Sequence, residues 1–130
     1  MIINDIDISS LLKALKKFES FRLNINTDQE KAGAIQAFEY CYELLWKNMK
    51  RFLGQNGIIV NSPKETFRAA ALEGLIDDPE IWFDFIKKRN ITVHTYQETE
   101  ADDVIKILPI FSNEAKKFLK RIGVNETFYG

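Results

Sequence analysis

The sequence predicts an all-α protein, an up-and-down bundle of about five helices. Glycine and proline number only 6 and 3 of the 130 residues, against the roughly 12% of average usage, so the chain has few turn residues and long elements. All-β sandwiches and barrels need many more turns. Apolar residues, 45% of the chain, recur at helical spacing in five segments. The length fits one domain, and we expect residues 1–130 to form it.

The first two predicted helices occupy residues 7–25 and the stretch from Thr27 to Gly54. Asp7 can cap the first helix. Residues 27–30 read Thr-Asp-Gln-Glu, a capping box in which the threonine and glutamate side chains satisfy free backbone N–H groups at a helix start. An apolar stripe then continues without interruption to Gly54. At roughly 40 Å, this second helix should be the longest and form the spine of the bundle.

The third and fourth helices have the clearest starts. Residues 62–65 read Ser-Pro-Lys-Glu, which combines a capping serine, a proline at the first helical position and a glutamate three residues after the cap. This short helix should end at Gly74. Residues 78–80 read Asp-Pro-Glu and open the fourth helix in the same way. Its end is predicted between Val93 and Tyr96.

The fifth helix should follow a cap at Thr99, bend at Pro109 and close at Gly123. Acidic residues crowd its first turn and basic residues its last, the distribution that the helix dipole favours. We interpret the basic cluster as stabilising the helix end, and an RNA-binding patch is the alternative. This cluster comprises Lys116, Lys117, Lys120 and Arg121.

Charge and cysteine content exclude several classes of protein. The chain carries 18 basic and 19 acidic residues, a net charge of -1, whereas proteins that coat nucleic acid nonspecifically are strongly basic. Any nucleic-acid contact must therefore be local. The only cysteine, Cys41, cannot form an intrachain disulfide. The chain opens without a secretory signal pattern and has no apolar run long enough to cross a bilayer, so we expect a cytoplasmic protein without membrane contact.

The common catalytic motifs are absent from the sequence. It contains no glycine-rich phosphate loop, no G-x-S-x-G elbow, no Cys and His cluster with zinc-ligand spacing and no EF-hand loop. We therefore expect neither a cofactor nor a metal.

The segment from Arg89 to Tyr96 contains the only histidine of the chain, His94. On a helix, Arg89 lies about 20° from Trp82 and shares its apolar stripe, so this permanent cation needs a partner. If the helix continues, His94 lies one turn beyond Asn90, and Tyr96 returns to the direction of Arg89.

The same residues could instead have ordinary structural roles. His94 could be a histidine bonded at a helix end, and Tyr96 could pack as an amphipathic aromatic. Arg89 could pair with a carboxylate such as Asp84 or Glu39. Spacing alone favours this interpretation, because structural ion pairs are commoner than active sites.

The pattern Arg-x4-His-x-Tyr, formed by Arg89, His94 and Tyr96 with Asn90 after the arginine, resembles the signature of HEPN domains paired with minimal nucleotidyltransferases. Residues 36–47 resemble the long second helix of the nucleotidyltransferase substrate-binding protein family, and residues 62–70 resemble its third helix. The three segments occur in the right order within residues 8–122, which makes the resemblance specific. It implies an all-α homodimer in which the motifs of both subunits face a shared cleft.

The resemblance implies two possible functions. In the first, the protein is a ribonuclease toxin that cuts RNA without metal and is silenced by a minimal nucleotidyltransferase. His94 would then act as general acid or base, Arg89 would stabilise phosphoryl charge and Asn90 would orient His94 or the phosphate. The partner would add AMP to Tyr96.

In the second function, the protein is a noncatalytic subunit. The same arginine, asparagine and histidine would bind a nucleotide or RNA for the nucleotidyltransferase without breaking it. The intact motif favours the ribonuclease. In either case, we expect a homodimer with the fourth helix near the two-fold axis, where pairing of the face that carries Trp82 would bury its aromatic residues.

Overall fold

The computed structural model describes residues 1–94 and 96–125, and its helical content confirms the all-α class. The five helices are α1 (Ser9–Arg22), α2 (Asp28–Gln55), α3 (Pro63–Leu72), α4 (Pro79–Thr92) and α5 (Glu98–Arg121), preceded by two short strands, β1 (Ile2–Ile3) and β2 (Ile6–Asp7). Helix α2 packs against each of the other four helices, so it is the spine that its length predicts. Within the described part of the chain, no helix is both long and apolar enough to cross a membrane.

The N-terminal hairpin departs from the predicted pattern. β1 and β2 pair antiparallel, and the two residues between them, Asn4 and Asp5, have φ angles of 50° and 67°. Two successive left-handed residues make the tight turn typical of hairpins, and asparagine and aspartate tolerate that conformation well. The first helix consequently begins at Ser9 rather than at Asp7. The Asp7 carboxylate still accepts a hydrogen bond from the Ser9 backbone N–H at 2.9 Å.

The predicted starts of α2, α3 and α4 are confirmed. In each, the capping side chain accepts a hydrogen bond from a backbone N–H of the first turn, and the caps are Thr27, Ser62 and Asp78. The start of α5 differs, because the helix already includes Thr99 and its first residue follows Gln97. α5 continues across Pro109, and the bend expected there stays a prediction.

The core is centred on the ring of Phe111 in α5. Its centroid lies 5.4 Å from that of Phe18 in α1, 4.8 Å from Phe38 in α2 and 5.1 Å from Phe85 in α4, each pair meeting edge to face. Trp82 is also fully buried in this cluster. The expectation that subunit pairing would bury the aromatic residues of α4 is therefore wrong for Trp82 and Phe85, because the core of a single chain already buries them.

Three of the four residues in the basic cluster at the end of α5 form ion pairs. Lys117 and Arg121 both pair with Asp77 in the loop before α4, the Lys117 Nζ at 3.6 Å. Lys116 Nζ lies 3.6 Å from the Glu19 carboxylate of α1. These pairs tie the end of α5 to its neighbours, which supports the structural interpretation of the cluster over an RNA-binding patch.

Candidate functional site

Helix α4 ends at Thr92, one residue before the predicted range. The Thr92 hydroxyl donates a hydrogen bond to the Arg89 carbonyl at 2.6 Å, and the β-branched residues at 91–93 disfavour a further helical turn. His94 and Tyr96 therefore lie outside the helix. The arrangement expected from a continued helix, with His94 one turn beyond Asn90, is wrong.

Arg89 extends from the last turn of α4 towards α2. Its Nη2 atom lies 3.1 Å from Oε1 of Glu43, and its guanidinium carbon lies 6.0 Å from the centroid of the Tyr42 ring, at the edge of cation–π range. The Arg89 side chain is 29% exposed. The predicted need for a charged partner is confirmed, and the cation remains reachable from solvent.

The partner of Arg89 differs from the two carboxylates that the sequence suggested. Asp84 instead pairs with Lys88, one turn further along α4, at 3.3 Å. Glu39 lies one turn before Glu43 on α2 and forms no ion pair with Arg89 in the described structure. Which of the two α2 glutamates faces Arg89 depends on how α2 and α4 pack, and periodicity within one helix does not contain that information.

Glu43 is the residue at this site that the sequence interpretation missed. Its Oε2 atom accepts a hydrogen bond from the Trp46 indole nitrogen at 3.1 Å and lies 3.5 Å from Lys47 Nζ. The spacing Glu-x2-Trp-Lys on one helix was an available signal, because residues three and four apart are neighbours on a helix surface. Burial raises the pKa of the adjacent Tyr42 far above its ordinary value, and Glu43 adds to the effect, so the Tyr42 hydroxyl stays neutral.

Asn90 and His94 are exposed. The described residues provide no hydrogen bond or ion pair to the His94 imidazole, so this part of the chain does not support the interpretation of His94 as a histidine bonded at the helix end. No hydrogen bond joins the side chains of Arg89, Asn90 and His94 in this part of the chain. The His94 imidazole and the planar Arg89 guanidinium, which can contact phosphate, are thus both open to a large ligand.

Tyr96 occupies a different environment, between the starts of α2 and α5. Its ring is half-buried and packs against the edge of the core. It lines a cavity of about 260 Å³ together with Lys31, Ile35 and Ala101. Lys31 also pairs with Asp102 of α5 at 2.8 Å, which fixes one wall of the cavity. His94, two residues before Tyr96 in the sequence, does not line this cavity.

Metal ligands and the Cys41 thiol are the remaining groups that could supply chemistry. Among residues 1–94 and 96–125, no cluster of three or more His, Cys, Asp or Glu side chains is arranged to hold a metal ion. Cys41 lies in the core, and burial raises the pKa of its thiol to about 12. A neutral buried thiol is a poor nucleophile, so Cys41 has a packing role.

Comparison with known proteins identifies the family. The family model for nucleotidyltransferase substrate binding protein like proteins matches residues 6–123. A curated relative from Haemophilus influenzae, the probable ribonuclease HepT, is 38% identical over 96 residues. That match covers 70% of this chain and 66% of the relative's length.

Two solved structures share the fold. One, a crystal structure of a Thermus thermophilus protein, has a TM-score of 0.82 and 30% identity, over 88% of this chain and 99% of that one. The other, from Haemophilus influenzae, is described as having the fold of a substrate-binding domain of a nucleotidyltransferase. It has a TM-score of 0.78 and 32% identity, over 89% of this chain and 98% of that one. The family indicated by the sequence motif is confirmed: the chain belongs to the nucleotidyltransferase substrate-binding protein-like family.

Proposed function

We propose that this protein is a metal-independent endoribonuclease, the toxin of a pair whose antitoxin is a minimal nucleotidyltransferase. The observation that carries the proposal is the contrast between two neighbouring side chains. His94 is exposed and has no hydrogen bond in the described structure, whereas Arg89 is held by Glu43. An exposed imidazole, five residues beyond an anchored guanidinium in the sequence, suits phosphoryl transfer better than a structural role. The ribonuclease name of a 38% identical relative agrees with this chemistry.

Each residue has a defined role in the proposed reaction. His94 takes the proton from a ribose 2′-hydroxyl or returns a proton to the leaving 5′-oxygen. The 2′-oxygen attacks phosphorus and the bond from phosphorus to the 5′-oxygen breaks, which leaves a 2′,3′-cyclic phosphate and a 5′-hydroxyl. Arg89 stabilises the charge that develops on the phosphoryl oxygens. Asn90 orients His94 or the phosphate.

We also propose a homodimer in which the two sites face a shared cleft. Cleavage needs a base and an acid, and each chain has one histidine, so two copies of His94 across a cleft could divide these roles. The end of α4 is accessible for pairing, since Val93 beside His94 is 45% exposed. Light scattering at micromolar concentration should give the mass of two chains, and a monomer would remove the shared cleft.

In the same proposal, the partner nucleotidyltransferase silences the ribonuclease at Tyr96. The Tyr96 hydroxyl oxygen attacks the α-phosphate of ATP, so AMP is attached to Tyr96, pyrophosphate leaves and the phenolic proton is lost to solvent. A bulky anionic group two residues from His94 would repel and exclude RNA. We also expect, as from the sequence, that the protein is cytoplasmic and has no resident cofactor.

The Tyr96→Phe variant should keep its RNA cleavage and remain toxic in cells that also carry the partner nucleotidyltransferase. The substitution removes only the acceptor oxygen, so the packing of the ring against the core is retained. Growth and intact protein mass, each measured with and without the partner, check this expectation. Tyr40→Phe is the matched control, because Tyr40 is a 59% exposed tyrosine and its loss should leave silencing unchanged. A Tyr96→Phe protein that is still silenced and still gains the mass of AMP would contradict the assignment.

The second candidate function is a noncatalytic subunit that presents a substrate to the nucleotidyltransferase. It is favoured by the description of the 32% identical Haemophilus influenzae structure as a substrate-binding domain. Arg89, Asn90 and His94 would then bind a nucleotide or RNA phosphate that stays intact. The two functions differ in one result, because only the ribonuclease cleaves RNA as a purified protein.

A further inference from the structure

We propose that Glu43 is a positioning residue, which anchors the Arg89 guanidinium so that its remaining N–H groups meet the scissile phosphate. The role in RNA cleavage rests on the proposed function. The anchoring itself is a property of the free protein.

The two oxygens of the Glu43 carboxylate have different partners. Oε1 faces Nη2 of Arg89 at 3.1 Å. Oε2 accepts the hydrogen bond from the Trp46 indole at 3.1 Å and lies 3.5 Å from Lys47 Nζ. Trp46 and Lys47 lie one turn after Glu43 on the same helix, so α2 itself fixes the orientation of the carboxylate.

Because its two oxygens have different partners, the Glu43 carboxylate contacts Arg89 through one oxygen only. An arginine and a carboxylate often pair through two parallel N–H···O contacts. Here Oε2 is committed to Trp46 and Lys47, and Arg89 Nε is buried without a hydrogen-bond partner in the described structure. Glu43 therefore holds the guanidinium through one terminal nitrogen, which leaves the N–H groups of the other terminal nitrogen for an incoming phosphate.

The surroundings of Arg89 favour anchoring over simple charge neutralisation. The guanidinium is confined between the Tyr42 ring and the Glu43 carboxylate, and both groups are supplied by α2. The Tyr42 side chain is buried and cannot move aside easily. Among the described residues, Glu43, with 33% side-chain exposure, is thus the polar contact that sets the direction of the guanidinium.

The test compares Glu43→Gln with Glu43→Asp, and uses Glu39→Gln as the matched control on the same helix. Glu43→Gln keeps the side-chain size but removes the charge, and its single oxygen cannot serve both Arg89 and Trp46 as the two carboxylate oxygens do. We expect kcat for RNA cleavage to fall about 10- to 100-fold, since small misplacements of catalytic groups have effects of this size. KM should be unchanged or lower, because a negative charge leaves a surface that binds an anion. Glu43→Asp, shorter by one methylene, should lose less activity, and Glu39→Gln should match the wild type.

A second readout does not depend on RNA cleavage. In ¹⁵N NMR spectra of the free protein, an anchored Arg89 side chain should rotate slowly and give distinct guanidinium signals. These signals should average in Glu43→Gln and persist in Glu39→Gln. Unchanged Arg89 signals in Glu43→Gln would overturn the anchoring, even if the wild-type protein failed to cleave RNA. A raised kcat/KM in Glu43→Gln would also overturn the proposal, because it would show that Glu43 competes with RNA for Arg89.

Discussion

The His94→Ala variant should lose RNA cleavage and toxicity while its fold and stability stay at wild-type levels. General acid–base catalysis by a positioned histidine contributes about 10²- to 10⁴-fold in rate, and the chain has no second histidine to replace it. The stability cost should be small, within about 0.5 kcal/mol, because His94 is exposed and makes no hydrogen bond in the described structure. Cleavage of a labelled RNA, measured beside circular dichroism and thermal melting, separates the two effects.

Arg89→Lys is the companion variant for this prediction. Lysine keeps the positive charge and can still pair with Glu43, but a single ammonium group cannot reproduce the planar guanidinium contact with phosphate. We therefore expect loss of cleavage in a folded protein. Wild-type activity in Arg89→Lys would show that only charge is needed at this position, and wild-type activity in His94→Ala would exclude His94 from the chemistry.

The Trp82→Ala variant should lose about 3 to 5 kcal/mol of unfolding free energy, the usual cost of deleting a buried aromatic side chain. Its ring centroid lies 5.0 Å from that of Phe67 and 5.0 Å from that of Phe85, so α3 and α4 lose a shared contact. A change of this size is a large part of the stability of a typical domain. Denaturant unfolding monitored by circular dichroism gives the free energy directly.

Trp82→Phe is the matched control for this loss. The indole nitrogen of Trp82 is buried without a hydrogen-bond partner in the described residues, so phenylalanine removes an unpaired polar group while keeping an aromatic ring in place. Its cost should be clearly smaller than that of alanine. A fully stable Trp82→Ala protein would contradict the placement of this side chain in the core. Because the alanine variant is destabilised, any loss of its activity would carry no information about catalysis.

The sequence predicts the helical framework well because helix starts are encoded locally. Ser62 and Asp78 each precede a proline and an acidic residue, and each forms the cap that its own neighbourhood specifies. The end of α4 was harder to place, because a helix end depends on the balance between a few residues such as Thr92 and their tertiary contacts. The hairpin turn at Asn4 and Asp5 had a local signal, but two-residue strands are too short to show a period of two.

The candidate site depends on tertiary packing more than the helical framework does, so less of it can be predicted from the sequence. Periodicity on α4 predicted that Arg89 needs a charged partner, and it does have one. Periodicity within α4 could not reveal Glu43, because Glu43 lies on α2 and the pairing depends on how two helices that are far apart in the sequence pack. Periodicity also predicted that His94 lies on α4, but α4 ends at Thr92. The spacing of the motif thus identified the family, while the geometry around Arg89 required the fold.

The most direct test of the proposed function is the incubation of cellular RNA with the purified wild-type protein in the presence of EDTA, after intact mass has shown that Tyr96 is unmodified. We expect cleavage that EDTA does not prevent, with 2′,3′-cyclic phosphate and 5′-hydroxyl ends, and no cleavage by His94→Ala prepared in the same way. RNA that stays intact with the unmodified wild-type protein would contradict the ribonuclease and favour the substrate-binding subunit.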